Sequence, residues 1–260
     1  MLLAIDMGNT QTALGLFDGD ELVASWRMPT DRTFTKDEIH VRLMGYFRMY
    51  GLELAQVDAI AFAGVVPQLL REWQGVADQL GTRFMQVGPD TADVTLLDAP
   101  NPAEVGADRI ANATAAATIY GAPSIVVDFG TATNIDVVDA RDCYIGGAIA
   151  PGIRISMDAL TARAARLASV PLEAPGHAIG RNTVECVQVG AVVGAAAMAE
   201  GLVARIKREL RASGNDNGHD PRVIATGGLA GIVAGCTDAF DAVDQQLTLK
   251  GIREIYRRMG

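Results

Sequence analysis

The sequence predicts an α/β fold made of two related lobes, and three observations carry that prediction. The first is an apolar strand, Leu2-Leu3-Ala4-Ile5, that ends in a carboxylate and a polar turn, Asp6-Met7-Gly8-Asn9-Thr10. The second is a near-repeat half a chain later, where Ile125-Val126-Val127 runs into Asp128-Phe129-Gly130-Thr131-Ala132-Thr133. Residues 3–8 align on 125–130 without a gap, and self-similarity at long spacing marks a repeated structural unit. The third is that helix-period and strand-period stretches alternate through the rest of the chain.

Each motif opens a hairpin meander. After the first, residues 13–17 form a strand, Asp18-Gly19 turns the chain, and 21–27 return. After the second, 134–138 rise, 139–142 turn, and 143–149 return. Residues 30–35 read as polar loop. Ile39, Leu43, Phe47 and Tyr50 then recur at helical spacing, predicting a helix over 36–50 that Gly51 stops. A strand over 57–63 leads through Gly64-Val65-Val66-Pro67 into a helix over 68–80, and 84–87 form another strand. Residues 88–105 are rich in Pro, Asp and Asn and read as a long loop, a length that usually means function. Gly106-Ala107-Asp108-Arg109 opens a helix to about residue 120, and Gly121-Ala122-Pro123 reads as the hinge. The lobes are therefore expected at 1–120 and 121–260.

The second lobe continues with a helix over 153–166 and a Pro-rich loop through Gly180-Arg181-Asn182-Thr183. A long helix of small residues reaches about 210. A Gly/Asn/Asp loop covers 213–220, and a strand over 222–225 ends in Thr226-Gly227-Gly228. Glycines after a strand let a backbone come close to a ligand. Residues 247–258 close the chain as an amphipathic helix.

Composition narrows the function. Lys and Arg number 22 against 31 Asp and Glu, for a net charge of −9 and a pI near 4.8. That argues against a general binder of nucleic acid or anionic membrane, which needs a positive field. Cys143, Cys186 and Cys236 show no paired spacing and fit reduced thiols of a cytoplasmic protein. His40, His177 and His219 stand apart from any cysteine pair, so zinc is not expected and the three read as surface residues. The chain opens directly on a strand, without a basic leader. Residues 186–199 are apolar but shorter than the roughly 20 residues that cross a bilayer. Gly190 and Gly194, four apart, suit a close helix contact at a domain or dimer boundary. Trp26 and Trp73 have no aromatic partner at useful spacing and read as packing residues.

The candidate chemistry lies at the acids. A turn of Gly, Asn and Thr can aim backbone N–H groups and hydroxyls at phosphate oxygens, and a carboxylate beside it suits a hydrated divalent cation. Asp6 and Asp128 hold matching places at buried strand ends, where an unpaired charge is costly. Asp108, in the first turn of a helix, is a candidate general base for a substrate hydroxyl, and Arg109 can fork two bonds onto an anionic group. Asp136, within a strand, is read as structural, and Thr183 as the N-cap of the long helix. No GxxxxGK[ST] is present, so phosphoryl transfer here would not use a P-loop.

Together these segments resemble type III pantothenate kinases. The resemblance is carried in order by Asp6-Met7-Gly8-Asn9-Thr10, Trp26-Arg27, Thr35-Lys36-Asp37-Glu38, Gly106-Ala107-Asp108-Arg109, Asp128-Phe129-Gly130-Thr131-Ala132-Thr133 and Gly146-Gly147-Ala148-Ile149-Ala150-Pro151-Gly152. Asn182-Thr183, Thr226-Gly227-Gly228 and Leu247-Thr248-Leu249-Lys250-Gly251 complete it over nearly the whole chain. The resemblance implies a duplicated actin-like (ribonuclease H-like) two-lobe ATPase fold with ATP between the lobes. It implies phosphorylation of pantothenate to 4'-phosphopantothenate, the first step toward coenzyme A, by a homodimer whose acceptor site lies at or near the subunit contact. The cofactors implied are ATP with Mg2+, and K+ or NH4+.

Carried over by position, Asp6, Met7, Gly8, Asn9, Thr10, Gln11, Thr12 and Ala13 would hold the ATP phosphates, with Asp6 reaching magnesium through water. Thr131 would touch ATP, and Asp128 would bind the monovalent cation. Gly106, Ala107, Asp108 and Arg109 would line the pantothenate pocket with Asp108 as proton acceptor, and Thr183 would contact the same substrate. Three positions depart from the family pattern. Ala99 stands where a pocket-lining Tyr is usual, Asn134 replaces the last Thr of the second turn, and Gly64 replaces a Ser. The rival readings are a kinase of another small hydroxy-acid on this fold, and a non-catalytic nucleotide-binding actin-like regulator.

Overall fold

Four consecutive apolar residues, Leu2, Leu3, Ala4 and Ile5, are all buried, which a strand achieves only in the middle of a sheet covered on both faces. A computed structural model of the chain describes residues 1–64, 66–91, 96–98, 101–163 and 170–259. It divides into two compact units, Met1–Ala115 with Thr248–Gly260, and Ala116–Leu247.

The first unit is built on β1 (Leu2–Met7), β2 (Gln11–Asp18), β3 (Glu21–Pro29), β4 (Ala59–Gly64) and β5 (Arg83–Gln86), in the order β3-β2-β1-β4-β5. The β1–β2 and β2–β3 pairs are antiparallel, as hairpins require, while β4 and β5 join parallel to β1 after helical crossovers. The crossover into β4 is α1 (Lys36–Met49), started by a capping box between Thr35 and Glu38. The next is α2 (Pro67–Leu80), with Pro67 at its first turn and Gly81 in the left-handed region at φ 66° as its stop. Leu3, Ile5 and Met7 of β1 face these two helices, among Leu43, Phe47, Leu69 and Trp73.

Strand alternation sends Leu2 and Ala4 to the other face. There they meet Ala59, Ala61 and Ala63 of β4 under α3 (Ala107–Ala115) and α8 (Leu247–Met259). Alanines on that face let α3 lie close to the sheet, with Ala107, Ile110 and Ala111 as its contact stripe. A Cβ on Gly251 would come within 1.9 Å of the Ala111 carbonyl oxygen, so the contact of α8 with α3 needs glycine there. The side chain of Thr248 donates to Asn112 Oδ1 at 2.8 Å in the same contact.

Trp26 corrects the expectation of lone tryptophans. Tyr46 and Phe47 stack on it, with ring centres 6.0 and 5.1 Å away, and Tyr50 meets it edge-on at 5.5 Å. The partners come from α1 and its end, a helix away in sequence. Within 88–105 the expected plain loop holds short 3-10 turns at Pro89–Thr91 and Pro102–Glu104 and a two-residue strand, β6 (Leu96–Leu97).

The second unit repeats the plan. Its strands are β7 (Ser124–Phe129), β8 (Ala132–Val138), β9 (Cys143–Pro151), β10 (Arg222–Thr226) and β11 (Ala242–Val243), and within the unit they run β9-β8-β7-β10-β11. The meander pairs are antiparallel and β10 and β11 are parallel, the same polarity as in the first unit. Both units thus carry the ribonuclease H-like strand order of a duplicated actin-like α/β fold. The core forms where Ile125, Val127, Phe129 and Ile135 meet Ile153 and Met157 of α4 (Ile153–Arg163) and Ala196, Ala199 and Val203 of α6 (Gly194–Ser213). The short α7 (Ala230–Ala234), unmarked in the sequence reading, adds Ala230 and Val233.

The apolar stretch at 186–199 lies inside the long helix that the sequence predicts, which ends at Ser213. The helix α5 (Thr183–Gln188) passes through a π turn at Val189–Val193 into α6, giving one 31-residue helix over Thr183–Ser213. By length and composition it is able to cross a membrane, yet Val192, Ala196, Ala199 and Val203 bury one stripe of it in the core of this unit.

Candidate functional site

In the first unit the β1–β2 connection is a four-residue turn between the paired residues Met7 and Thr12, closed by Gly8 N–H donating to the Gln11 carbonyl at 3.0 Å. Asn9, Thr10 and Gln11 are exposed on it. Met7 and Thr12, each 1% exposed, point into the core, so what they offer a ligand is backbone. The hydroxyls of Thr12 and Thr30 lie 2.9 Å apart, and Thr30 N–H donates to the Thr10 carbonyl at 3.0 Å, which pins the turn to the end of β3. Asp6 is half-buried and paired in register with Ala13 on one side and Ala63 on the other.

The alternation that carries Leu2 and Ala4 toward α3 carries Asp6 to the same face. Ala63, the register partner of Asp6, shares a core cluster with Ala107 at the first turn of α3. Asp6 and Asp108, about a hundred residues apart in sequence, are thereby brought to the same face, at the carboxyl end of β1 and β4. Gly106 precedes the helix, and its carbonyl accepts from Ile110 N–H at 3.0 Å. A Cβ on Gly106 would meet Asp108 Oδ1 at 2.5 Å, so the carboxylate folds back over the helix start. Asp108 and Arg109 are both half-buried, placed to meet a ligand while anchored.

In the second unit the chain after β9 and the chain after β10 close on the turn that follows Asp128. The β7–β8 turn holds three residues, Gly130, Thr131 and Ala132, between the paired Phe129 and Thr133, one fewer than in the first unit. Gly130 N–H donates to the Ala132 carbonyl at 3.0 Å, and Thr131 is exposed at the tip. Gly227, after β10, has φ +90° and lies against Asp128, where a Cβ would come within 2.4 Å of Oδ1. Gly152, after β9, backs onto the same turn, with room for a Cβ only 2.1 Å from the Thr131 carbonyl. These glycines are the places where close backbone approach is forced.

Thr183 is not the helix cap that the sequence suggests. Asn182 is: its Oδ1 accepts from Glu185 N–H at 3.0 Å, and Thr183 becomes the first helical residue, exposed. Glu185 in turn accepts from Arg181 N–H at 2.7 Å and Asn182 Nδ2 at 2.9 Å, with His177 Nε2 at 3.4 Å. The Arg181 N–H, with help from His177 and Asn182, holds the Glu185 carboxyl below the usual carboxylate range. Sequence reasoning passed over Glu185, although Asn182-Thr183-Val184-Glu185 has the spacing of a cap with an acid three residues on. Ala99, expected at the acceptor pocket, lies outside the described residues.

Among the described residues no cluster of three or more His, Cys, Asp or Glu is arranged to hold a metal ion. Asp6 is a hard oxygen donor at the strand end that leads into the exposed turn, a donor type that suits a cation ligated partly by water. Asp128, crowded by Gly130 and Gly227, is likewise a hard oxygen donor.

The fold is shared with solved proteins of low sequence similarity. A Baf family transcriptional activator from Campylobacter jejuni superposes with a TM-score of 0.62 at 19% identity, over 99% of this chain and 98% of that one. The component A of (R)-2-hydroxyglutaryl-CoA dehydratase from Acidaminococcus fermentans gives 0.56 at 14% identity, over 98% and 96%. Sequence relatives are much nearer. The type III pantothenate kinase of Thermomicrobium roseum is 49% identical over 264 residues, covering 100% of this chain and 98% of the relative. That of Moorella thermoacetica is 44% identical over 261 residues, covering 99% of each. A family model described as type III pantothenate kinase matches residues 2–205, and with these relatives it shows that the chain belongs to the type III pantothenate kinase family.

Proposed function

We propose that this protein phosphorylates the primary hydroxyl of pantothenate with ATP, the first step of coenzyme A biosynthesis. The observation that carries the reading is full-length similarity at 49% identity to a type III pantothenate kinase, with the acids Asp6, Asp108 and Asp128 present. Phosphoryl transfer asks a protein mainly for positioning and charge stabilisation. In the first unit the exposed turn at Asn9, Thr10 and Gln11 receives phosphate oxygens through hydroxyl and N–H donors, with Gly8 and Ala13 bounding the approach. Asp6 would hold magnesium through water, and the ion when bound would supply positive charge against the phosphates. Asp108 accepts the proton of the attacking hydroxyl, and Arg109 pairs the carboxylate of pantothenate. Thr131 contacts ATP, Asp128 holds potassium or ammonium, and Gly106, Ala107 and Thr183 line the acceptor pocket.

The enzyme works as a cytoplasmic homodimer in this reading. The dimer is supported by large apolar side chains of the second unit that stand in solvent, among them Ile149, Ile155, Leu160, Ile179 and Val184. The net charge of −9 supports partners that are small molecules and a second copy rather than nucleic acid or membrane.

The deciding experiment is acceptor-dependent ADP release with pantothenate, with and without potassium, alongside light scattering for mass. Turnover that needs pantothenate and rises with potassium supports the whole reading. The replacement of the usual Tyr by Ala99 favours one alternative, another small hydroxy-acid as acceptor. Turnover with such an acceptor and none with pantothenate would select it, and nucleotide binding without any acceptor-dependent turnover would select a regulator.

A further inference from the structure

Residues 171–182 lead into the 183–213 helix without regular secondary structure. Side chains of the helix itself hold the segment. Gln188 Nε2 donates to the Pro171 carbonyl at 3.0 Å near its start. Near its end Glu185 gathers the Arg181 N–H, the Asn182 amide and the His177 ring on one carboxylate. Between those anchors Gly180 lies so close to the helix that a Cβ would come within 2.5 Å of Cys186 N. Cys186 Sγ is 3.4 Å from the Gly180 carbonyl. Glu185 thus ties both sides of Ala178, Ile179 and Gly180 to the first helical turn, and it seats the Asn182 cap that sets where Thr183 begins the helix.

We propose that Glu185 is a positioning residue of the acceptor site: it clamps residues 177–182 to the helix start and so fixes Thr183, without touching substrate itself. The inference rests on the reading that Thr183 meets pantothenate. Its physical basis is that a hydroxyl on the first residue of a helix is placed only as well as the cap before it, and a small misplacement remote from the chemistry weakens productive binding.

The test is steady-state kinetics of Glu185→Ala, Glu185→Gln, Thr183→Ala and the Glu185→Ala/Thr183→Ala pair, with melting curves for each. We expect Glu185→Ala to raise KM for pantothenate about tenfold while leaving KM for ATP within about twofold, an acceptor-specific loss. Glu185→Gln keeps an oxygen for the Arg181 N–H and should come back to within about threefold of wild type. In the pair, Glu185→Ala should add nothing to Thr183→Ala, because one residue acts through the other. Amide exchange at Arg181 should accelerate in Glu185→Ala in a chain that otherwise stays folded.

Equal rises in both KM values, additive effects in the pair, or an Ala variant equal to wild type would each overturn the proposal. If wild type turns over pantothenate and Thr183→Ala is silent, the clamp idea falls while the kinase reading stands. If wild type shows no pantothenate-dependent turnover, the kinase reading fails and the clamp falls with it.

Discussion

At the scale of single residues, each unit holds a carboxylate whose position a glycine makes possible. Asp108 Oδ1 rests where a side chain at 106 would be, and Asp128 Oδ1 where one at 227 would be. A side chain at 106 would push the Asp108 carboxylate away first, whereas one at 227 would also strike the Phe129 backbone at 2.7 Å and strain a φ of +90°. The role proposed for Asp108 is separable from folding, because it is half-buried at a helix start and Asn is nearly isosteric. Asp108→Asn should therefore melt within a few degrees of wild type while kcat falls by about 10²–10⁴, the usual worth of a general base. Coupled ADP-release assays beside thermal melts check this, and an undiminished kcat would remove Asp108 from the chemistry. The residue scale is also where sequence reading stopped short at Thr183. Both Asn182 and Thr183 are good caps by type, and only the hydrogen bond from Glu185 N–H to Asn182 shows which one serves.

At the scale of elements, α3 carries Asp108, and α8 is what presses on α3. The end of α8 is itself held by charge. The buried Glu254 accepts from Arg253, and from Arg257 Nη2 at 2.9 Å, while Arg253 Nη1 also donates to the Asp20 carbonyl at 2.8 Å. Burial alone would raise the Glu254 carboxyl, but the hydrogen bonds and charges of the two arginines outweigh it and hold the pKa below the usual carboxylate range. A group depressed in the folded state stabilises above its unfolded pKa, near 4.3, and the gain is lost as pH falls through the lower folded value. Glu254→Gln should therefore lower the melting temperature at pH 7, and the gap to wild type should narrow as pH falls below the unfolded pKa. Melting curves from pH 3 to 7 measure it, and a gap that persists unchanged into acid would exclude the ion pairs as its source. The helix period of α8 was legible from its apolar residues. The spacing of Glu254 from Arg253 and Arg257 was legible too; the burial of Glu254 and the reach of Arg253 to the Asp20 carbonyl were not, because both depend on where the helix packs.

At the scale of the whole molecule, the chain closes on itself. The sequence reading assigned 121–260 to one lobe, whereas contacts group Thr248–Gly260 with Met1–Ala115. Leu249, Ile252 and Ile255 are all buried in the core of the first unit. At roughly 1.5–3 kcal/mol for each buried aliphatic side chain, their removal takes away about as much as the entire margin of an ordinary domain, on the order of 5–15 kcal/mol. A chain ending at Leu247 should thus lose its first unit to proteolysis while the wild type resists. Limited proteolysis with mass spectrometry tests this, and a protected N-terminal fragment in the truncated chain would refute it.

What the sequence determined unaided was the repeat. Two strands ending in Asp-x-Gly, each followed by a meander, were enough to expect two α/β units of one design, because strand period, turn chemistry and buried acids are local properties. The same local signals singled out Asp6 and Asp128 at matching strand ends as candidates. Only the tertiary structure decided which distant residues meet. Asp6 and Asp108 reach one face because alternation along β1 and the alanine surface of β4 steer α3 to it. Gly227 and Gly152 close on the Asp128 turn because β10 and β9 end beside it. The physical reason is that a chain's local preferences set its elements, while the partners of a carboxylate or a ring are chosen by packing between residues that sequence order keeps far apart.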